Sequence, residues 1–359
     1  MPTRCTMTAS VAASVAIAAA VACGQTAAPT PAAPCACHAI IVSAMPGSPV
    51  YARRYQDWLM RFHACLLKAG VPAASVTVLS GDKNFKAGIV NGLATAEAVR
   101  NAIAETAGKC APQDQFVLII VGHSTNTDTL PALLLPGPDL TSNELADALA
   151  AVPAASQVIL NFSACSGSFL KALAAKGRVN VAATSPEEAT ESVLPEFFLK
   201  ALETGAADGE GIAGNAKDGI VTLLEALNWS SYQTAMWMAR QTATGNETWD
   251  VSGKESAALF QKLCDGADNH EGRRKLGSGS QDTSDGVVEI VVPQDAEAAR
   301  AWVGRRLVNE HAVLEDCGQD RFVSPLSSKG YAPITPADPA AEGALASKTV
   351  LGRCQPLEK

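Results

Sequence analysis

Gln115-Phe116-Val117-Leu118-Ile119-Ile120-Val121-Gly122-His123-Ser124 is the stretch that decides the fold. Phe116 to Val121 are apolar without a break, so neither face of the segment can be turned to water. A strand buried on both faces belongs in the middle of a parallel sheet that carries helices on each side. Upstream, His38 to Ser43 is a second short apolar run, and Tyr51 to Lys68 places apolar residues at helical spacing. Ser75 to Leu79 reads as a strand and Ala94 to Ala107 as a helix. Downstream, three prolines between Leu130 and Asp139 predict irregular chain. Thr141-Ser142-Asn143-Glu144 then caps a helix running to about Ala151, because threonine and glutamate at that spacing satisfy each other's unpaired backbone donors. Strands over Gln157 to Phe162 and Val179 to Thr184 alternate with helices over Ser168 to Ala175, Pro195 to Glu203 and Val221 to Arg240. The alternation predicts an α/β fold, a mostly parallel sheet with helices on both faces.

The flanks of that domain read differently. Arg4 followed by the small apolar run Ala9 to Ala22 has the form of a secretory signal peptide over residues 1–22. The run holds about 14 residues, short of the roughly 20 that span a bilayer. Ala20-Val21-Ala22 precedes Cys23 and Gly24 follows it, a pattern that fits either ordinary signal cleavage or lipid attachment at Cys23 with consequent membrane anchoring. Both imply export to the periplasm or beyond. Residues 23–37 are rich in alanine, proline and threonine and read as a tether. The α/β domain takes 38–245, a polar insertion 246–293, and a helix from about Ala296 to His311 plus an irregular tail completes the chain over 294–359. Inside the insertion only Val287 to Val292 looks like a strand, and Arg273-Arg274-Lys275 reads as a solvated loop or a maturation cleavage site.

With 28 basic and 36 acidic residues the net charge is −8, which argues against nucleic acid as a partner. Ten cysteines in an exported chain imply disulfides. Setting aside Cys5, Cys23 and Cys165 leaves Cys35, Cys37, Cys65, Cys110, Cys264, Cys317 and Cys354, and spacing alone leaves their connectivity open. Cys35-Ala36-Cys37-His38 has one residue between its cysteines, where haem attachment needs two, so neither a metal nor a cofactor is expected. Lys217 to Glu225 resembles the end of a calcium loop, but Gly214 and Ala216 carry no oxygen ligands where two are needed. It reads as a tight turn that starts a helix.

In open parallel sheets, ligands collect beyond the carboxyl ends of the strands. The strongest strand ends in Gly122-His123-Ser124, and the strand at Gln157 to Phe162 ends in Ser163-Ala164-Cys165-Ser166-Gly167. The 42 positions from His123 to Cys165 hold a loop, one helix and one strand, the contents of a single crossover. Neighbouring strands would then place imidazole and thiol side by side. That pairing suits nucleophilic catalysis, with Cys165 as nucleophile and His123 as base and acid. A helix start after Cys165 would favour the thiolate. Small residues around it would let backbone N–H groups face a developing oxyanion. A buried structural cysteine and a strand-capping histidine are the simpler reading of each residue taken alone.

An apolar strand ending in histidine, then another ending in Ala164-Cys165-Ser166-Gly167, resembles the caspase-like cysteine peptidases, the legumain branch most of all. Leu135 to Thr141, Leu223 to Ala226 and Glu310 to Asp316 are similar to blocks of bacterial exported members. The resemblance covers about Ile40 to Asp320 apart from the insertion. It implies a His123–Cys165 dyad, a peptide or protein substrate, and an oxyanion site involving the backbone at Ser124 and Gly167. Arg54, within Arg53-Arg54-Tyr55-Gln56-Asp57, matches an arginine that helps legumain bind an asparagine or aspartate side chain. The family usually has glycine where this chain has Ser124.

Two rival readings accompany this one. Gly122-His123-Ser124-Thr125-Asn126 approximates the nucleophile elbow of an α/β-hydrolase serine esterase, with Ser124 as nucleophile and His270 or His311 as base. Asn126 stands where the elbow needs glycine, and Thr127 to Pro131 does not look like a helix start. The other rival is a catalytically silent caspase-like binding protein.

Overall fold

The computed structural model describes residues 35–127, 130–186, 188, 191–211, 217–244, 273–276, 288–291, 310–319, 321–327 and 330–354. The expected signal peptide, Cys23, most of the tether and the expected helix from Ala296 lie outside them, as does His270. The first half of the chain forms β1 (Cys37–Ser43), α1 (Pro49–Lys68), β2 (Val76–Ser80), β3 (Gly92–Leu93), α2 (Ala96–Ala107) and β4 (Gln115–Gly122). Next come β5 (Ser124–Thr127), β6 (Leu130–Leu133), β7 (Leu140–Thr141), α3 (Ser142–Ala150), β8 (Ser156–Ser163), α4 (Leu170–Leu173) and β9 (Arg178–Ala182). The remainder gives α5 (Leu194–Thr204), α6 (Leu223–Thr244), β10 (Arg273–Leu276), β11 (Val288–Val291), β12 (Val313–Glu315), β13 (Leu326–Ser327) and β14 (Gly330–Tyr331).

Seven strands form the central sheet in the order β12-β9-β8-β4-β1-β2-β3, all parallel except the edge strand β12. The unbroken apolar run of β4 has the expected cause. Val117, Ile119 and Val121 enter the core beneath α1, α5 and α6, while Phe116, Leu118 and Ile120 enter the core beneath α2 and α3. All six are at most 1% exposed. Burying side chains of this size stabilises the fold by roughly 2 kcal/mol each, so the two-sided pattern fixes β4 in the centre.

α1 starts at Ser48, whose Oγ accepts from the Tyr51 N–H, and Pro49 in the first turn fits because no partner for its missing N–H is needed there. Its inward face comprises Arg54, Tyr55, Trp58, Leu59, Phe62 and Leu66. Arg61 joins this helix to α5 through Glu196 at 2.6 Å and Glu203 at 2.8 Å. The cap at Thr141 and Glu144 forms as expected, with both reciprocal bonds present.

Four expectations need correction. The proline-bearing segment after β5 is not irregular: β6 and β7 join β5 in a small antiparallel sheet, with Pro131 in a strand at its register partner Asn126. Cross-strand hydrogen bonds supply there what local propensity lacks. Arg273-Arg274-Lys275 is not loop but strand, paired antiparallel with β11. Glu310 and His311 are not helical. The tail is less irregular than its composition predicts, since β12 extends the main sheet through its pairing with β9.

Candidate active site

The chain runs from β1 outward to β2 and β3, then returns to β1's other side at β4 and continues through β8 and β9. The loops leaving β1 and β4 therefore diverge, and that point is where open parallel sheets form a ligand crevice. Ala44 N donates to Val121 O at 2.9 Å, and Ala164 N to Gly122 O at 3.0 Å, so the exits of β1, β4 and β8 are bonded to one another. Gly122 has φ +122°, and a Cβ on it would lie 2.7 Å from that of Ala44. Only glycine lets β4 come this close to β1 and turn His123 out of the sheet.

His123 projects into this crevice. Its Nε2 lies 3.0 Å from the Pro46 carbonyl oxygen, and its Nδ1 pairs with Glu191. Tyr51 and Tyr55 meet its ring edge-on, with centroids 5.0 Å and 5.7 Å away. The Tyr55 hydroxyl donates to the other Glu191 oxygen at 2.9 Å. A carbonyl can only accept, so Nε2 carries a proton; beside an ionised Glu191, Nδ1 carries one too. Burial opposes that positive charge, but the hydrogen bond and charge of Glu191, helped by the Pro46 carbonyl, outweigh it and raise the His123 pKa. Both ring nitrogens are thus engaged, and neither is bonded to the Cys165 thiol.

Cys165 follows β8 as expected, and Gly122 and Ser163 are register partners on adjacent strands. It has φ 57° and ψ 20° and is the only positive-φ non-glycine among the described residues. Such a backbone costs on the order of 1–2 kcal/mol and turns the chain sharply from strand into a 3₁₀ turn over Ser166–Phe169 and then α4. The turn is held from outside. Ser168 N and Oγ donate to the Cys165 carbonyl at 3.0 Å and 2.6 Å, while Ser166 Oγ accepts from Ala183 N and Thr184 N at 3.0 Å and 3.2 Å. Gly167 lies against residues 184–186, where an added Cβ would fall 2.3 Å from the Thr184 carbonyl oxygen. Close packing thus accounts for that glycine.

The thiolate expected from a following helix is not favoured. Burial and the Glu191 charge raise the Cys165 pKa, against which the Asn126 N–H works in the other direction. One 3₁₀ turn offers too few aligned dipoles to reverse this. The resting site therefore holds a neutral thiol, 4% exposed, beside a histidine paired to a carboxylate.

Arg54 joins the same neighbourhood. It is 4% exposed, its guanidinium carbon lies 5.3 Å from the Tyr51 ring centroid and 5.7 Å from that of Trp58, and its charge acts on His123. Tyr51, Arg54, Tyr55 and Trp58 follow i, i+3, i+4, i+7 spacing, so one face of α1 forms a wall of the crevice. That spacing was available in the sequence; Glu191 carried no such signal. A cleft of about 760 Å³ adjoins the His123 side, with Met45, Pro46, Gly47, Ala52, Leu93 and Pro136 among its lining.

Ser124 does not sit on a nucleophile elbow. It opens β5, which turns into a hairpin instead of a helix, and its buried hydroxyl donates to the Ala164 carbonyl. The esterase reading thus loses the turn that would present Ser124 as nucleophile; His311 pairs with Glu188. Glu225 accepts from Thr222 and Gly209 in capping α6, and Asp316 accepts from Gly343, Leu345 and Ala346, so each acid already serves local backbone. Among the described residues no group of three or more histidine, cysteine or acidic side chains is arranged to hold a metal ion. No helix among them is long and apolar enough to cross a membrane. No protein-family model matches the chain, and no curated protein matches it in sequence.

Proposed function

We propose that the chain is an exported cysteine peptidase of the caspase-like, legumain-related type. The observation that carries this reading is the adjacent exits of β4 and β8, whose register partners Gly122 and Ser163 lead into His123 and, one residue further along, toward a strained Cys165 at a strand-to-turn bend. Cys165 attacks the substrate carbonyl to form an acyl-enzyme; His123 accepts the thiol proton and returns it to the leaving amine. Water then releases the acid product with His123 as base. The Arg54 and Tyr51 wall and the apolar cleft beside Pro46 offer a side-chain pocket and a groove for an extended peptide.

Before His123 can act as a base, Nε2 must give up its proton and its contact with the Pro46 carbonyl, while Glu191 on Nδ1 can keep orienting the ring. On this reading the arrangement is a resting form, in which substrate displaces the Pro46 contact of Nε2. The silent-binding alternative draws on the same fact, since Cys165 is buried and both imidazole nitrogens are occupied. A peptide library varied at the residue before the cut separates these. Wild type and Ser124→Ala should turn over and Cys165→Ala should not. Turnover surviving Cys165→Ala would remove the cysteine mechanism. Absent turnover in wild type, together with no iodoacetamide labelling of folded Cys165, would support the binding protein.

A further inference from the structure

Far from the crevice, at the amino ends of β1 and β4, the chain gathers four thiols. Cys35 and Cys37 lead into and begin β1, Cys110 lies in the turn before β4, and Cys354 comes from the last described residues. Hydrogen bonds made by Gln115 and Asp114 bring them together. Gln115, fully buried, donates through Nε2 to Val350 O at 3.1 Å and Arg353 O at 2.7 Å, and its Oε1 accepts from Gly352 N at 2.8 Å. Its own N–H donates to Ala36 O at 2.9 Å, and Cys354 Sγ lies 3.0 Å from that same carbonyl oxygen. Asp114 holds the other side, accepting from Ala36 N at 2.8 Å and Ala111 N at 2.7 Å. Segments 35–37 and 352–354 are therefore clamped side by side through one glutamine, and the Cys35 and Cys354 side chains are in hydrogen-bonding contact.

We propose that Cys35 and Cys354 are the sites of a disulfide that ties the start of β1 to the carboxyl-terminal segment of the domain. Two thiols give up two protons and two electrons to a small-molecule or protein disulfide, which leaves as two thiols; an S–S bond forms between the two Sγ atoms. The reaction is thiol–disulfide exchange and needs no further reagent. Several facts favour this pair within the cluster. Cys37 and Cys110 are the buried members, at 5% and 9% exposure, whereas Cys35 and Cys354 are partly exposed and open to an exchanging partner. A metal site is the competing use of four thiols, but no metal-holding arrangement exists among the described residues. A persistent bond of this kind requires an oxidising compartment, the one an export signal implies. The proposal does not depend on peptidase activity.

The full chain, purified from an oxidising compartment of its host, is denatured without reductant, alkylated, digested and mapped by mass. A Cys35–Cys354 linked peptide that separates on reduction is expected. Closing a loop of roughly 320 residues restricts the unfolded chain, so reductant should lower Tm by about 5–10 °C. Cys354→Ser should show that lower Tm with or without reductant. Alkylation of both residues, linkage of Cys354 to Cys37 or Cys110, or stoichiometric zinc in the purified protein would each overturn the assignment. The mapping uses wild-type chain, so it decides the matter even if the variant fails to fold.

Discussion

Glu310 should make stability fall as pH rises from acid to neutral, by an amount its surroundings allow to be worked out. It is 1% exposed and reaches the start of α5 from outside that helix, where Val193 caps without a side-chain bond. Its carboxyl accepts from Ser192 Oγ at 2.7 Å, Val193 N at 2.9 Å and Leu194 N at 2.8 Å. Those donors favour the ionised form, yet burial outweighs them and, with the nearby Glu188 charge, pushes the pKa from 4.5 up to about 7. The folded state then holds a proton that the unfolded chain has already released between those values. The stabilising contribution is fully present below about pH 4.5 and is lost as pH climbs through 7. At about 1.4 kcal/mol per unit, a shift from 4.5 to about 7 corresponds to about 3 kcal/mol.

Glu310→Gln isolates this effect, since the amide oxygen keeps acceptors for the same N–H groups but cannot ionise. Urea unfolding followed by tryptophan fluorescence at pH 5, 6, 7 and 8 gives the stability of each protein. The wild type should lose about 2.5 kcal/mol relative to Glu310→Gln across that range, since the first part of the loss falls below pH 5. Glu310→Ala should cost roughly 3–6 kcal/mol at pH 5, because three buried donors lose their acceptor. A wild-type-minus-Gln difference that stays flat from pH 5 to 8 would show that the folded chain does not hold the Glu310 proton.

Glu191→Gln should move the acid limb of kcat/KM to lower pH, because the carboxylate that raises the His123 pKa is gone; a limb that stays in place would show that Glu191 does not govern the histidine. Gly167→Ala should destabilise by roughly 2–4 kcal/mol in urea titrations, since its Cβ meets backbone at 2.3 Å; a change under about 0.5 kcal/mol would mean that segment 184–186 gives way. Arg54→Glu should alter the preference for an acidic or amide side chain before the cut, measured on matched peptides, and unchanged selectivity would take Arg54 out of the pocket.

The central strands were legible because burial on both faces leaves an apolar run, unbroken in β1 and β4 and interrupted by a single asparagine in β8 (Asn161) and in β9 (Asn180). Strand adjacency followed from the crossover length, and with it the neighbouring exits that carry His123 and Cys165. The small sheet of β5, β6 and β7 was not legible, since its residues are ordered by pairing partners and not by their own propensity. Edge strand β12 is three residues long, too short for a periodic signal. The charge state of the site was misread for a related reason. Helix dipoles can be inferred from order along the chain, whereas burial and the approach of Glu191 depend on which loop folds over the crevice.

That loop is tied to the segment just ahead of β12. Glu191 sits between Glu188, which accepts from the His311 N–H at 2.8 Å, and Ser192 to Leu194, which bond Glu310. Consecutive residues just ahead of β12 thus hold the chain on both sides of the carboxylate that occupies His123. β12 in turn is fixed to β9, the strand from which the loop departs. The contacts of Glu310 and His311 therefore help set where Glu191 meets the imidazole. Glu310→Ala tests this through the acid limb of kcat/KM. If those contacts hold Glu191 against Nδ1, the variant should lower the His123 pKa and move the limb to lower pH wherever it remains folded; a limb that matches wild type would show that Glu191 is positioned without them.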